Sequence, residues 1–316
     1  MAGRFRLRTG VGTPVGVLAL IALGTAGLEA QTLSYEGSLT FARGSYVFTQ
    51  PTNSFWLSNG LSFRSGRILL SATLPVIVQN SGIVSFVAGQ PIGTGGEDSG
   101  VVARRNKGEP VGTHDGSGRG RDGGPADGLL AATVPRQAVE PEDSSTVYFR
   151  DAYEIQVGDP LVSGFLELHA GAGFLRSLTL GLSAKAPVRS VESGVGTGAW
   201  DVGGGLSAAA GAGRNLVLAD VWYWSYGDLP DLELDPGWMW GASVSRTFSG
   251  GRIALSASVA GATAMTETME APLSVGVGLM SLPRIGRAFS AGLWFGLTEA
   301  SPDLSASVGW SLGLLN

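Results

Sequence analysis

The feature that most restricts this chain is an alternation of apolar and small polar residues with a period of two, repeated over most of its length. Leu33, Tyr35, Leu39 and Phe41 fall on one side of an extended backbone, and Ser34, Glu36, Ser38 and Thr40 on the other. The parity returns in Phe55, Leu57, Leu61 and Phe63 against Ser54, Ser58 and Ser62, and again in Ile68, Leu70, Ala72, Leu74, Val76 and Val78. Leu178, Leu180, Leu182 and Ala184 oppose Ser177, Thr179, Ser183 and Lys185, and Leu304, Ala306, Val308, Trp310, Leu312 and Leu314 oppose Ser305, Ser307, Ser311 and Gly313. Successive side chains of a strand point to opposite faces, so each segment predicts a strand with one apolar and one wet side.

The wet side carries Ser, Thr and Gly, where the outside of a soluble sandwich would carry Lys and Glu. Charged residues make up 15% of the chain and glycine 50 of its 316 residues, against averages of about 25% and about 7%. Small polar residues suit a curved, enclosed interior. In a bilayer every backbone donor and acceptor needs a partner, and a closed barrel supplies it because it has no free edge. The pattern therefore predicts an all-β fold: a closed, antiparallel, up-and-down transmembrane β-barrel of about twelve strands, with ten to fourteen as the range. Tight turns at Ser65-Gly66, 211–214 and 249–251 alternate with longer connections at 48–53, 188–198, 227–236 and 265–271. Short and long connections then lie at opposite ends, with both termini on the periplasmic side.

Residues 1–30 read as a secretory signal peptide. Arg4, Arg6 and Arg8 precede an apolar stretch from Val15 to Ala26, and small residues allow cleavage after Ala30, with Ala26 as the alternative. Removing them takes the formal charge from −5 to about −7. Residues 31–316 are then the barrel, addressed to the bacterial outer membrane, with the lipid bilayer and the outer-membrane assembly machinery as partners. The acidic balance and the lack of a clustered basic face argue against nucleic acid. With no cysteine in the chain, a thiol nucleophile and a thiolate metal site are excluded. No metal or cofactor is called for, and the oligomeric state is not legible.

Between residues 80 and 146 the alternation gives way to Gly, Asp, Arg and Pro. This stretch is too polar to form a core of its own, which predicts a long flexible extracellular loop or a plug folded into the barrel mouth. The segments 82–91 and 147–157 either extend neighbouring strands or add a pair.

Parity also sorts the residues that could carry function. Glu36, Glu167, His169, Lys185 and Asp201 fall on the wet side, as candidates for the lining of the lumen. Trp56, Trp200, Trp222, Trp224, Tyr226, Trp238 and Trp240 sit near strand ends at long connections, where a membrane interface favours aromatic rings. Asp220 shares the parity of Trp222, Trp224 and Tyr226, so either the carboxylate faces lipid or the aromatics face the lumen. For a hydrolase, His169 with Glu167 and Ser163 is the nearest approach to a catalytic set. Neighbours two apart on one strand share a face automatically, however, so no catalytic residue is assigned.

The run Lys185-Ala-Pro187, then 194–201 (Gly-Val-Gly-Thr-Gly-Ala-Trp-Asp) and Gly203-Gly-Gly-Leu-Ser207, resembles the outer-membrane barrel family named for the meta-pathway of phenol degradation. Leu218-Ala-Asp-Val221 and Ser301-Pro-Asp-Leu304 are similar to it as well. The resemblance covers roughly residues 160–316 and brings no catalytic residues. It departs at Ala186 and at the ending Leu314-Leu315-Asn316, where such barrels usually carry an aromatic. What it implies is a channel or transporter-like barrel for small solutes, hydrophobic or aromatic ones included. The alternatives are a non-transporting structural or surface-binding barrel and an outer-membrane hydrolase.

Overall fold

The computed structural model describes residues 31–46, 51–81, 84–87, 90–92, 149–188, 195–229, 232–266, 269–284 and 286–315. The expected signal peptide at 1–30 and most of the insertion, 93–148, lie outside them. Fifteen strands follow in order: β1 (Thr32–Gly44), β2 (Thr52–Ser65), β3 (Ile68–Ser81), β4 (Ser85–Val87), β5 (Gln90–Ile92), β6 (Phe149–Val157), β7 (Leu161–Ala170), β8 (Leu175–Lys185), β9 (Asp201–Ala212), β10 (Asn215–Ser225), β11 (Gly237–Phe248), β12 (Ile253–Ala262), β13 (Leu273–Arg284), β14 (Arg287–Gly296) and β15 (Leu304–Leu315).

All but β4 and β5 join one antiparallel sheet that closes on itself, because β1 pairs with both β2 and β15. β6 and β7 both pair with β3: Val78 lies opposite Ile155, and Leu69 opposite Phe165. They are one wall strand interrupted at Gly158-Asp159-Pro160, which makes twelve strands around the barrel. The interruption has a local cause. Pro160 has no N–H to offer the ladder, and Pro75 faces the gap from β3. The Gly158 amide still donates to the Pro75 carbonyl at 2.8 Å. Of the stretch 147–157, ambiguous in the sequence, the described residues 149–157 thus lengthen a strand, while 85–87 and 90–92 pair as a small separate hairpin, β4–β5.

The outward face is apolar: Leu39, Leu61, Leu70, Leu182, Val244, Val277, Leu293 and Phe295 are all exposed. The inward face repeats small residues in register. Ser256 faces Gly278, Gly278 faces Gly292, Gly292 faces Ser307, and Ser307 faces Thr40 around the wall from β12 to β1.

Closure through the first and last strands gives a direct prediction. Leu39 and Val308 lie opposite each other and both face outward. Cross-strand Cα separations of about 4.5–5.5 Å fall within disulfide range. Cysteines at these two positions are expected to crosslink in the refolded barrel, read as a reductant-sensitive shift on a denaturing gel. A folded variant that never crosslinks would contradict the closure.

Candidate functional site

At the long-loop end of the lumen the wall is held by a buried ionic knot. Lys185, at the end of β8, is 2% exposed. Its ammonium donates to Asp159 Oδ2 at 3.2 Å and to Thr197 Oγ1 at 2.7 Å, and pairs with Asp201 Oδ2 at 3.2 Å. Three donors thus meet three acceptors. The second oxygen of each carboxylate is also used: Asp159 Oδ1 accepts from the Val188 amide at 2.9 Å, and Asp201 Oδ1 from the Gly227 amide at 3.0 Å. The knot ties β8, β9, the β6–β7 kink and the connection after β10 together. Gly198, at φ +69°, supplies the left-handed turn that brings Thr197 into it. Lys185, Thr197, Gly198 and Asp201 all belong to the motif run that carries the family resemblance. Asp159 does not, and parity alone misses it because the kink resets the alternation there.

Beside the knot the inner wall is aromatic. Trp222 and Trp224 on β10 are 1% and 0% exposed and point inward. Their indoles lie against Gly181 on β8 and Gly203 and Gly205 on β9, where a Cβ at any of the three would collide with a ring. Glycine is therefore a steric requirement of this platform. Phe165 meets Trp222 edge-on at 6.2 Å, and Val87, Ile92, Tyr226, Leu229, Leu232, Leu234 and Met265 complete an apolar cluster. The β4–β5 hairpin thus packs inside the barrel mouth. It is anchored by the Phe86 amide on the Val195 carbonyl at 3.0 Å, by Gln79 Nε2 on the Val84 carbonyl at 3.1 Å, and by Phe86 against Trp56 at 5.2 Å. Burial pushes the Tyr226 phenol above its ordinary range, and the Asp201 carboxylate raises it further, so it stays protonated.

The aromatic expectation is corrected here. Trp222, Trp224 and Tyr226 are buried in the lumen, and Trp56 also packs inward, against the hairpin. None of these four belongs to a lipid-facing girdle. The shared parity with Asp220 is resolved in favour of an inward face, and the physical reason is the glycine floor on β8 and β9. Trp200, Trp238 and Trp240 are exposed at the long-loop end, with Trp238 stacked edge-on against Tyr223 at 5.0 Å on the outer surface.

The remaining polar candidates are spread out. Glu36 accepts from Ser62 Oγ at 2.8 Å, and Glu167 pairs with Arg64 at 3.6 Å. Asp220 lies opposite Ser207 and Gly241 on neighbouring strands. His169 is exposed near the short-turn end, just past a register shift that follows Glu167. Ser163 Oγ accepts from the Ser183 hydroxyl at 2.7 Å. The set of His169, Glu167 and Ser163 suggested by shared parity is therefore not assembled.

No family model and no curated protein matches the sequence. Among solved structures, an outer membrane channel from Pseudomonas putida F1 is similar at a TM-score of 0.58 and 10% identity, over 91% of this chain and 97% of that one. The KdgM porin is similar at 0.42 and 7% identity, over 88% and 98% of the two chains. The CymD monoaromatic hydrocarbon channel gives 0.40 and 9% identity. The last two values are too low to carry an argument. The closed wall, its apolar outside and the first of these likenesses together establish the fold: this chain is a transmembrane β-barrel of the outer-membrane type.

Proposed function

We propose that this barrel is an outer-membrane channel for small solutes, with apolar and aromatic molecules as the preferred class. The observation that carries the reading is the mismatch between strand number and lining. Eight strands enclose an interior about wide enough for side chains to fill, and diameter grows with strand number. Twelve strands lined with Ser256, Gly278, Gly292, Ser307 and their neighbours cannot be filled by their own wall. The long-loop end is occupied instead by chain that enters from a connection, the β4–β5 hairpin. A lumen stoppered by a separable element, with Lys185, Asp159 and Asp201 paired among themselves beside it, is what a gated path for weakly charged solutes requires.

The solute class follows from the platform. A flat aromatic molecule can stack on Trp222 and Trp224 where the hairpin now packs. Among the described residues neither indole Nε1 has a hydrogen-bond partner. A solute carrying a hydroxyl or carboxylate acceptor would satisfy those donors. The resemblance to the meta-pathway family supports the same class. A structural barrel is the second reading, favoured by the completeness of the apolar cluster at the mouth. A hydrolase has less support, given the scattered positions of His169, Glu167 and Ser163.

Liposome flux tests the proposal. Vesicles containing the refolded protein are expected to take up a small phenolic acid faster than a zwitterionic amino acid of equal size, with empty vesicles as the baseline. Uptake of both at the baseline rate would count against the channel.

A further inference from the structure

We infer that the short-turn rim is a binding surface for anionic phospholipid headgroups of the periplasmic leaflet. The short turns and their flanks, residues 62–70, 167–178, 209–218, 245–255 and 281–290, contain eight arginines and one carboxylate, Glu167, which pairs with Arg64. At the opposite end Asp228, Glu233, Asp235, Glu270, Glu299 and Asp303 are exposed, against Arg43 as the exposed cation among the residues whose side chains are described. The barrel is therefore polar along its axis, basic where the turns are short and acidic where they are long.

Five of the arginines cluster on three successive hairpins. Arg214 closes β9–β10, Arg246 and Arg252 flank β11–β12, and Arg284 and Arg287 flank β13–β14. All five are exposed, and none has a carboxylate partner among the described residues. Neighbouring hairpins are stitched together, since the Thr247 amide donates to the Arg214 carbonyl at 2.8 Å and the Leu282 amide to the Arg252 carbonyl at 2.7 Å. Arg284 and Arg287 lie directly opposite each other in register. Like charges in that position repel, and an anion between them removes the repulsion.

The apolar residues next in line identify the anion's carrier. Phe289 stands two residues from Arg287 toward mid-strand and Ile253 is the residue after Arg252 in the same direction, while Phe248 lies two residues beyond Arg246 toward the turn; all three are exposed on the outer wall. Along a strand, two residues span roughly 7 Å. At Arg252 and Arg287 the guanidinium groups thus sit one step outside an apolar band of Ile253 and Phe289, as phosphate sits outside acyl chain. A soluble anion would need no such apolar band, and a lipid needs both. Short turns of outer-membrane barrels face the periplasm, whose leaflet is phospholipid.

The experiment uses the refolded full barrel in vesicles of phosphatidylcholine mixed with phosphatidylglycerol, extracted gently, with retained lipid counted by native mass spectrometry. The wild type is expected to retain phosphatidylglycerol in preference to phosphatidylcholine. Each arginine lost should lower the preference by about fivefold at low salt. Arg252→Gln, Arg284→Gln and Arg287→Gln together should abolish it, and Arg43→Gln at the acidic end should leave it intact. Arg214→Gln with Arg246→Gln provides a second, separate variant should the triple one not refold. Equal retention of the two lipids by the wild type, or an unchanged preference in a folded arginine variant, would overturn the inference.

Discussion

Replacing Lys185 with methionine is expected to destabilise the folded barrel by about 3–5 kcal/mol, measured by reversible urea unfolding from lipid vesicles. The size of the effect comes from what remains behind. Asp159 and Asp201, both buried, would keep their amide partners at Val188 and Gly227 but lose the ammonium at 3.2 Å from each. Thr197 would lose its 2.7 Å donor as well. Two buried carboxylates stripped of their shared ammonium cost more than the pairing itself contributes, because less of their desolvation is offset. The triple change Lys185→Met, Asp159→Asn and Asp201→Asn should recover much of the loss. Equal stabilities for the wild type and Lys185→Met would mean that the knot does not hold the wall.

Leu182→Arg is the second large effect, at about 2–4 kcal/mol if the site meets the bilayer midplane. Leu182 is 64% exposed on β8, between Leu180 and Ala184 on the outward parity, while Ser183 and Lys185 point inward. A guanidinium there must either leave water or drag it into the hydrocarbon. Ser183→Arg provides the contrast, because its cost would come from crowding Ser163 in the lumen rather than from lipid. The difference shows when both variants are unfolded from detergent micelles and from bilayers. Only Leu182→Arg should be markedly worse in the bilayer. A near-neutral Leu182→Arg in the bilayer would contradict the outward assignment.

Much of the wall was legible in the sequence, because a period of two with a Ser and Gly side has few other uses. Closure of the wall through its first and last strands, the inward Lys185 and the outward Leu182 all follow from it. What parity could not supply is the state of the lumen. Trp222, Trp224 and Tyr226 at a strand end look like an interfacial belt, since the same composition suits both membrane and core. The deciding signal lay on other strands, in Gly181, Gly203 and Gly205, whose missing side chains make room for the indoles. Likewise Asp159 meets Lys185 from a kink 26 positions earlier in the chain, where Gly158 and Pro160 interrupt the alternation. The hairpin at 85–92 was concealed for a similar reason: its short strands sit at the head of a stretch dominated by Gly and Asp.

Conductance in a planar lipid bilayer tests the channel most directly, comparing the refolded wild type with a variant whose residues 84–92 are replaced by a Gly-Ser linker. That substitution removes Val87 and Ile92 from the platform and Phe86 from Trp56, while every wall strand keeps its partners. Small or intermittent currents are expected for the wild type and a larger, steadier conductance for the variant. Both proteins remaining at the level of the empty membrane, although folded and inserted, would contradict the channel.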